Sequence, residues 1–388
     1  MKIVMVVPYF YPHTGGTEKY VKDLSMSLTQ AGHAVTVIST NLPAEKNAPA
    51  EEITEGFKVI RLPAINMFSY LPVTRQKFDL KMLEGYDIVH CHVPSFGFLR
   101  EVVGKVKQPV IVTYHCDVTV SEKYYGVAIP GWLIKTVEAT SNVYARDLLR
   151  KADVVYNTTK TYADTSPVLG KVKGVRHIPI GIFHDHIDAM QQKLGLTEKD
   201  KNPKQLLWLG RMAGNKGCDY MVMAMPAILA ACPDTKLVIC GDGEEKAHIN
   251  SLIDKLGVRQ SIEMLGTVDF AGLVRLFYQS LVYVFPSINR LEAFGIVQLE
   301  AFVNNTTVVA SDIPGPNAVM DVGTTGLLVP KQDPQAIADA VIPLLKNPQR
   351  AIEMGKAGRK LVETKYDWKV IVEQVLDLYK EGLTKKGK

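Results

Sequence analysis

Glu292 and Glu300 stand with seven residues between them in the stretch Arg290-Leu291-Glu292-Ala293-Phe294-Gly295-Ile296-Val297-Gln298-Leu299-Glu300. They follow an apolar, strand-like run from Leu281 to Phe285 and a Pro286-Ser287 break, so the first carboxylate is expected on a loop and the second on the helix after it. Carboxylates accept hydrogen bonds from hydroxyls. Glu292, with the backbone N–H groups of Phe294 and Gly295, can therefore hold a sugar, while Glu300, over two turns on, can accept from a ribose diol. An acid beside a helix N-terminus also has a plainer reading as a partner for the helix dipole.

A second group of residues widens the chemistry. The buried run Leu206-Leu207-Trp208-Leu209 ends in Gly210-Arg211-Met212-Ala213-Gly214-Asn215-Lys216-Gly217. A glycine-broken loop carrying Arg211 and Lys216 at a strand's end suits a diphosphate, the arginine by bidentate contact and the lysine as a point charge. Gly241-Asp242-Gly243 closes another apolar run, Leu237 to Cys240, and lets a flat ring lie against backbone. Gly15-Gly16 precedes a helix whose free N–H groups can meet an anion. The chain lacks Gly-x-Gly-x-x-Gly, which counts against a dinucleotide oxidoreductase. His115 follows the buried run Val110 to Thr113, at the end of a strand where functional side chains collect, and an imidazole there is easily tuned. His90-Cys91-His92 offers no complete metal-ligand set, and Asp185-His186-Ile187-Asp188 is not an Asp-x-Asp motif.

Taken together, these residues resemble a retaining glycosyltransferase of family four, with the phosphatidylinositol mannosyltransferases as the subgroup whose first domain is most similar. The resemblance runs from the first strand to the last helix. It implies an α/β fold of two Rossmann-like domains facing across a cleft, the GT-B arrangement. It also implies catalytic roles for His115, Arg211, Lys216 and Glu292, with Gly15, Gly16, Gly210, Gly241, Phe294, Gly295, Ile296 and Glu300 around the donor and His13 and His92 on the acceptor side. The implied reaction moves a hexose of mannose or glucose type from a nucleoside diphosphate sugar to a hydroxyl, by front-face attack with retention. The nucleotide-sugar is a substrate, and neither a cofactor nor a metal is implied.

The elements that must position these residues are legible as alternating strands and helices. Ile3 to Val7, Val35 to Ile38, Ile88-Val89 and Val110 to Thr113 read as buried strands, with weaker ones near Val59 and Val154; Tyr20, Val21, Leu24 and Leu28 mark one face of a helix over 17–30. The pattern breaks over 178–204, restarts at Leu206, and continues through Leu237 to Cys240, Ile262 to Leu265, Leu281 to Phe285 and Val308 to Ala310. Two parallel-sheet domains follow, 1–180 on the acceptor side and 181–367 for the nucleotide-sugar. From the resemblance, the last helix, 368–388, returns to the first.

Composition agrees. The 388 residues are 47% hydrophobic, enough for two cores. A net charge of +5 is too mild to argue for nucleic acid. All of the excess lies in residues 1–180, which hold 21 basic and 16 acidic side chains. Five scattered cysteines without a Cys-x-x-Cys pair suggest neither disulfides nor zinc, and therefore a reducing compartment. No apolar stretch approaches the ~20 residues that cross a bilayer. A cytoplasmic protein is expected, with Arg75, Lys77 and Lys81 on a basic amphipathic segment able to rest on the anionic inner face of a membrane.

Some positions depart from the family pattern. Pro179-Ile180-Gly181-Ile182-Phe183 stands where the family has Pro-Asn-Gly-Val-Asp, Ala293 replaces a glycine, and Asn317 an acid. The acceptor is thereby less defined than the donor. A sugar-nucleotide epimerase of the same fold, or a sugar-nucleotide-binding protein without catalysis, remains an alternative.

Overall fold

The computed structural model describes residues 1–13, 15–42, 48–68, 71–74, 78–94, 96–120, 123–124 and 127–387. They form two compact units, Met1–Gly181 with Trp368–Lys388, and Ile182–Asp367.

The main sheet of the first unit has β-branched, apolar runs at its centre and polar strands at its edges: β1 (Lys2–Val6), β2 (Ala34–Thr40), β3 (Glu51–Thr54), β4 (Phe57–Leu62), β5 (Ile88–Val93), β6 (Val110–Tyr114), β7 (Val154–Asn157) and β8 (Arg176–His177). Their order is β8-β7-β6-β5-β1-β2-β4-β3, with only the edge pair β3–β4 antiparallel. β5 and β6 are buried from end to end, which is why their sequences are continuous rather than alternating. β4 alternates instead, and sequence alone gives only a weak strand there. The reason is its place near the edge, where Lys58 pairs with Glu51 of β3 and one face meets water.

Helix α1 (Gly16–Gln30) buries Tyr20, Val21, Leu24 and Leu28 completely. The C-terminal helix, Trp368–Lys385, packs on the same unit with Ile371, Val375 and Leu378 on one face. Each such side chain contributes about 1.5–3 kcal/mol when fully buried. Gly382 continues that face, where a Cβ would come within 2.8 Å of Ile111 Cδ1, so the helix lies close on the sheet.

The second unit contains β9 (Asn202–Leu209), β10 (Lys236–Cys240), β11 (Ile262–Gly266), β12 (Ser280–Phe285), β13 (Thr307–Ser311) and β14 (Gly326–Val329). All run parallel in the order β11-β10-β9-β12-β13-β14. The order reverses between β9 and β12, and in such sheets the crevice for a ligand opens at the carboxyl ends of those two strands. Leu209 and Phe285 are their last residues. The loops that follow them are therefore the ones that carry Lys216 and Glu292.

Of the basic segment expected on a lipid surface, Arg75 and Lys77 lie outside the described residues. Lys81 falls in a single 3-10 turn, Leu80–Leu83, whose cap is the Asp79 side chain accepting from the Lys81 N–H. Among the described residues, no helix is long and apolar enough to cross a membrane.

Candidate functional site

Three strand-end loops of the second unit are knitted together by backbone. Gly210 N–H donates to Cys240 O at 3.0 Å, Met212 N–H to Asp242 O at 2.8 Å, and Ile288 N–H to Asn215 O at 3.0 Å. The glycines make this closeness possible. Gly241 has φ +136°, and a Cβ there would lie 1.9 Å from Gly210 O; Gly217, with φ +65°, would put one 2.0 Å from Pro286 O. Gly241→Ala is accordingly expected to strain or displace both loops at a cost of about 1–3 kcal/mol. Urea unfolding should read that loss, and nucleotide-sugar affinity should fall with it.

On this frame the Lys216 ammonium, which ends a 3-10 turn ahead of helix α2 (Cys218–Ala231), donates to Glu292 Oε2. Their side chains are 29% and 13% exposed, so the pair is partly shielded yet open to a ligand. Glu292 lies on the loop and Glu300 within helix α3 (Ile296–Val303), as their spacing predicts. Tyr283 joins the two: its buried hydroxyl donates to Leu209 O at 3.2 Å, and its ionisation is pushed well up by burial first and then by the charges of Glu292 and Glu300. Both carboxylates thus act on one ring at the end of β12.

Gly295 takes the N-cap of α3 with φ +82°, a left-handed backbone that favours glycine. The N–H groups that open α3, beginning at Ile296, have no acceptor inside the helix. Gln298, fully buried, braces the turn: its Nε2 donates to Phe294 O at 3.3 Å and Pro316 O at 3.2 Å. Phe294 is itself buried, with its ring edge-on to Tyr366. Gln298 and Tyr283 escaped sequence reasoning because each sits inside an apolar run and reads as a core position.

Arg211 is placed differently. Its Nε donates to Glu244 Oε2 at 3.2 Å in an exposed pair. Such pairs are worth about 0–1 kcal/mol, little enough for a diphosphate to replace the carboxylate. Glu244 gave no signal beyond its place after Gly241-Asp242-Gly243.

In the first unit, Gly15 is the N-cap of α1 in extended backbone, and a Cβ there would lie 2.5 Å from Glu18 Oε2. Gly16 has open space where a Cβ would stand, while the Glu18 carboxylate folds back onto its own backbone N–H in the first turn. Glu18 was not anticipated. Burial pushes its carboxyl from the ordinary 4.5 up to about 7, its own backbone N–H opposing, and His13 Nε2 stands 3.9 Å from Oε1.

His115 follows β6 and is held by its N–H donating to Val93 O at 3.1 Å. The His92 ring, one strand over on β5, brings Nδ1 within 3.2 Å of His115 Nε2. At 1% exposure His92 is buried, with His115 as its neighbour. His90 is tied to Tyr379 OH at 2.8 Å and Thr113 Oγ1 at 2.7 Å. Burial drives the imidazoles down, His90 and His115 to about 3 and His92 well below its ordinary value. All three are neutral at physiological pH.

Among the described residues, His184, Asp185 and Asp188 lie close enough to share a cation. Arg359 already fills that role, its Nη1 2.6 Å from Asp188 Oδ1 and its Nη2 2.7 Å from Oδ2.

Two family models match the chain: the glycosyl transferase 4-like domain over residues 15–181 and the glycosyl transferases group 1 over 191–361. The phosphatidyl-myo-inositol mannosyltransferase of Mycobacterium leprae is 28% identical over 397 residues, spanning all of this chain and 99% of that protein. Among solved structures, sucrose-phosphate synthase from Thermosynechococcus elongatus superposes with a TM-score of 0.78 at 24% identity, 98% of each chain being covered. The Anabaena protein HepE in complex with UDP-glucose gives 0.73 at 16% identity, over 98% of this chain and 99% of that one. A GT-B fold, a glycine-built crevice at the switch point of its second sheet, and relatives matched from end to end lead to one assignment: the chain belongs to the family-four glycosyltransferases.

Proposed function

We propose that this glycosyltransferase moves a mannose- or glucose-type hexose from a nucleoside diphosphate sugar to a hydroxyl on a membrane phospholipid or glycolipid, with retention and without a catalytic metal. The observation that carries the reading is the Lys216–Glu292 contact beside Glu300 at the strand ends. A cation and two carboxylates there match what such a donor presents: an anionic diphosphate, sugar hydroxyls and a ribose diol.

Lys216 and Arg211 exchange their carboxylate partners for the diphosphate. The growing charge on that leaving group is then met by two cations and by the N–H groups that open the first helix at Gly15-Gly16, which is where most of the rate enhancement arises. Glu292, the Gly295 and Ile296 amides and Phe294 hold the sugar, Glu300 the ribose, Gly210 and Gly241 the base. His115, neutral, hydrogen-bonds the sugar, and the departing phosphate takes the acceptor's proton. His13 lies toward the acceptor. The lipid acceptor is supported by the mannosyltransferase relative, whose name states phosphatidyl-myo-inositol, and the donor class by HepE with UDP-glucose. Work at the inner face of the cell membrane, with Arg75, Lys77 and Lys81 against anionic lipid, suits that acceptor.

Incubation with radiolabelled nucleotide-sugars and a lipid extract, with and without EDTA, tests the reading. A labelled lipid whose anomeric configuration matches the donor, formed equally in EDTA, is the expected product. Free sugar would indicate an epimerase, and an unchanged donor a binding protein.

A further inference from the structure

We propose that His92 sets the tautomer of His115, so that His115 presents Nδ1–H, a hydrogen-bond donor, to the sugar. The tautomer stands on the geometry alone; the contact with sugar rests on the function proposed above.

Between His92 Nδ1 and His115 Nε2, 3.2 Å apart, one nitrogen carries a hydrogen and the other accepts it. Among the described residues, no other side chain hydrogen-bonds these two nitrogens. The His90 ring lies tilted beside His92, centroids 4.3 Å apart, but its Nδ1 is taken by Tyr379 and its Nε2 by Thr113 and Tyr156. His92 Nε2 is buried and has no partner among the described residues. If His115 donated, the neutral His92 would carry its proton on Nε2 and leave a buried N–H unpaired. If His92 donates, that nitrogen is a bare lone pair. Unpaired buried donors are the rarer case in proteins, and unsatisfied acceptors the more tolerated one. The second arrangement follows, and with it His115 holds its proton on Nδ1. The neutral side chain of free histidine favours the Nε2–H form, so His92 overrides the intrinsic preference.

The consequence for the reaction is directional. An Nδ1–H can donate to a sugar hydroxyl and leave that hydroxyl's own proton free to be donated elsewhere, whereas a bare nitrogen would take that proton.

Two-bond 1H–15N correlation spectra of the intact, 15N-histidine-labelled protein at pH 7.5 read the tautomers directly. His115 is expected with Nδ1 in the N–H range and Nε2 in the lone-pair range. His92→Leu removes the donor; His115 should revert to Nε2–H, and kcat for transfer should fall about tenfold, the worth of one neutral hydrogen bond, with KM for the donor little changed. His92→Asn, whose amide can replace the Nδ1–H, should restore the tautomer and most of the lost rate. An Nε2–H signal for His115 in the native protein overturns the proposal, as does a His92→Leu protein that is slow yet keeps Nδ1–H. If His92→Leu fails to fold, the native spectrum alone decides. A protein that transfers no sugar but shows the Nδ1–H signal refutes the functional reading and leaves the tautomer assignment standing.

Discussion

Replacing Lys216 by alanine is expected to lower kcat for sugar transfer by about a hundred- to a thousandfold, the usual loss when one preorganised group facing transition-state charge is removed. The ammonium is held by Glu292 in the absence of ligand, on a loop fixed by the Ile288–Asn215 and Gly210–Cys240 backbone bonds. Charge on the diphosphate grows as the glycosidic bond breaks, so the loss should appear in kcat more than in KM. Folding should survive. Lys216 is itself part-exposed, and the carboxylate left behind keeps some contact with water, so the melting temperature should move by only a few degrees. Lys216→Arg should rescue poorly, because a planar fork does not occupy the place of a compact point charge. Glu292→Gln should also be slow, and the double variant barely slower than either alone, since the two groups act on one molecule. Initial rates with the active donor, beside circular dichroism melts, measure all of this. A Lys216→Ala enzyme with native kcat would remove Lys216 from the reaction.

Much of that arrangement was legible before any coordinates. Continuous apolar runs give buried parallel strands, and a glycine followed by polar residues marks each carboxyl end. Lys216 and Glu292 could thus be assigned to loops at the carboxyl ends of two strands. Their direct contact could not be read, because it depends on β9 and β12 being adjacent across the reversal of strand order, a property of topology that no local pattern carries. β14 was missed for a related reason: Gly326-Leu327-Leu328-Val329 is short and begins with a glycine, so it lacks the length that separates a strand from a turn. The histidines show the opposite failure. His90, His92 and His115 look like surface chemistry by residue type, yet the register His90↔Ile111 and His92↔Thr113 puts the β5 pair inside the sheet's flank, against Tyr20, Tyr156 and Tyr379. Glu18 is the same lesson in a helix. A first-turn acid reads as a dipole partner, and only packing shows that it is buried beneath Gly15.

Acid should unfold the first unit well before the second. An imidazole whose folded value is depressed contributes stability that is complete above its unfolded value and is lost as pH falls from there toward the folded one. For His90 and His115 that window runs from the ordinary 6.5 down to about 3. Between pH 7 and pH 5 each therefore costs about 2 kcal/mol, at 1.36 kcal/mol per unit below 6.5. His92, pushed down by burial and by its two neighbours, adds in the same direction, as do the partly buried His33 and His177. Glu18 works the other way: its raised carboxyl takes up a proton in the folded state between about 7 and 4.5, which stabilises that state as pH drops and offsets one histidine. With one histidine offset by Glu18, the loss from His90 and His115 is about 2 kcal/mol by pH 5, before His92 adds to it, a sizeable share of the 5–15 kcal/mol that holds a typical domain together. None of these groups belongs to Ile182–Asp367. Calorimetry from pH 7 to pH 5 should accordingly show one transition falling steeply while the other moves less, because the second unit's buried Lys201, pushed down to about 7, has its window above that range. His90→Gln should begin less stable at pH 7 and then fall less steeply, having lost one titrating ring. A first-unit midpoint that does not move between pH 7 and pH 5 would mean that the cluster is already charged in the folded protein, and a neutral His115 facing the sugar would go with it.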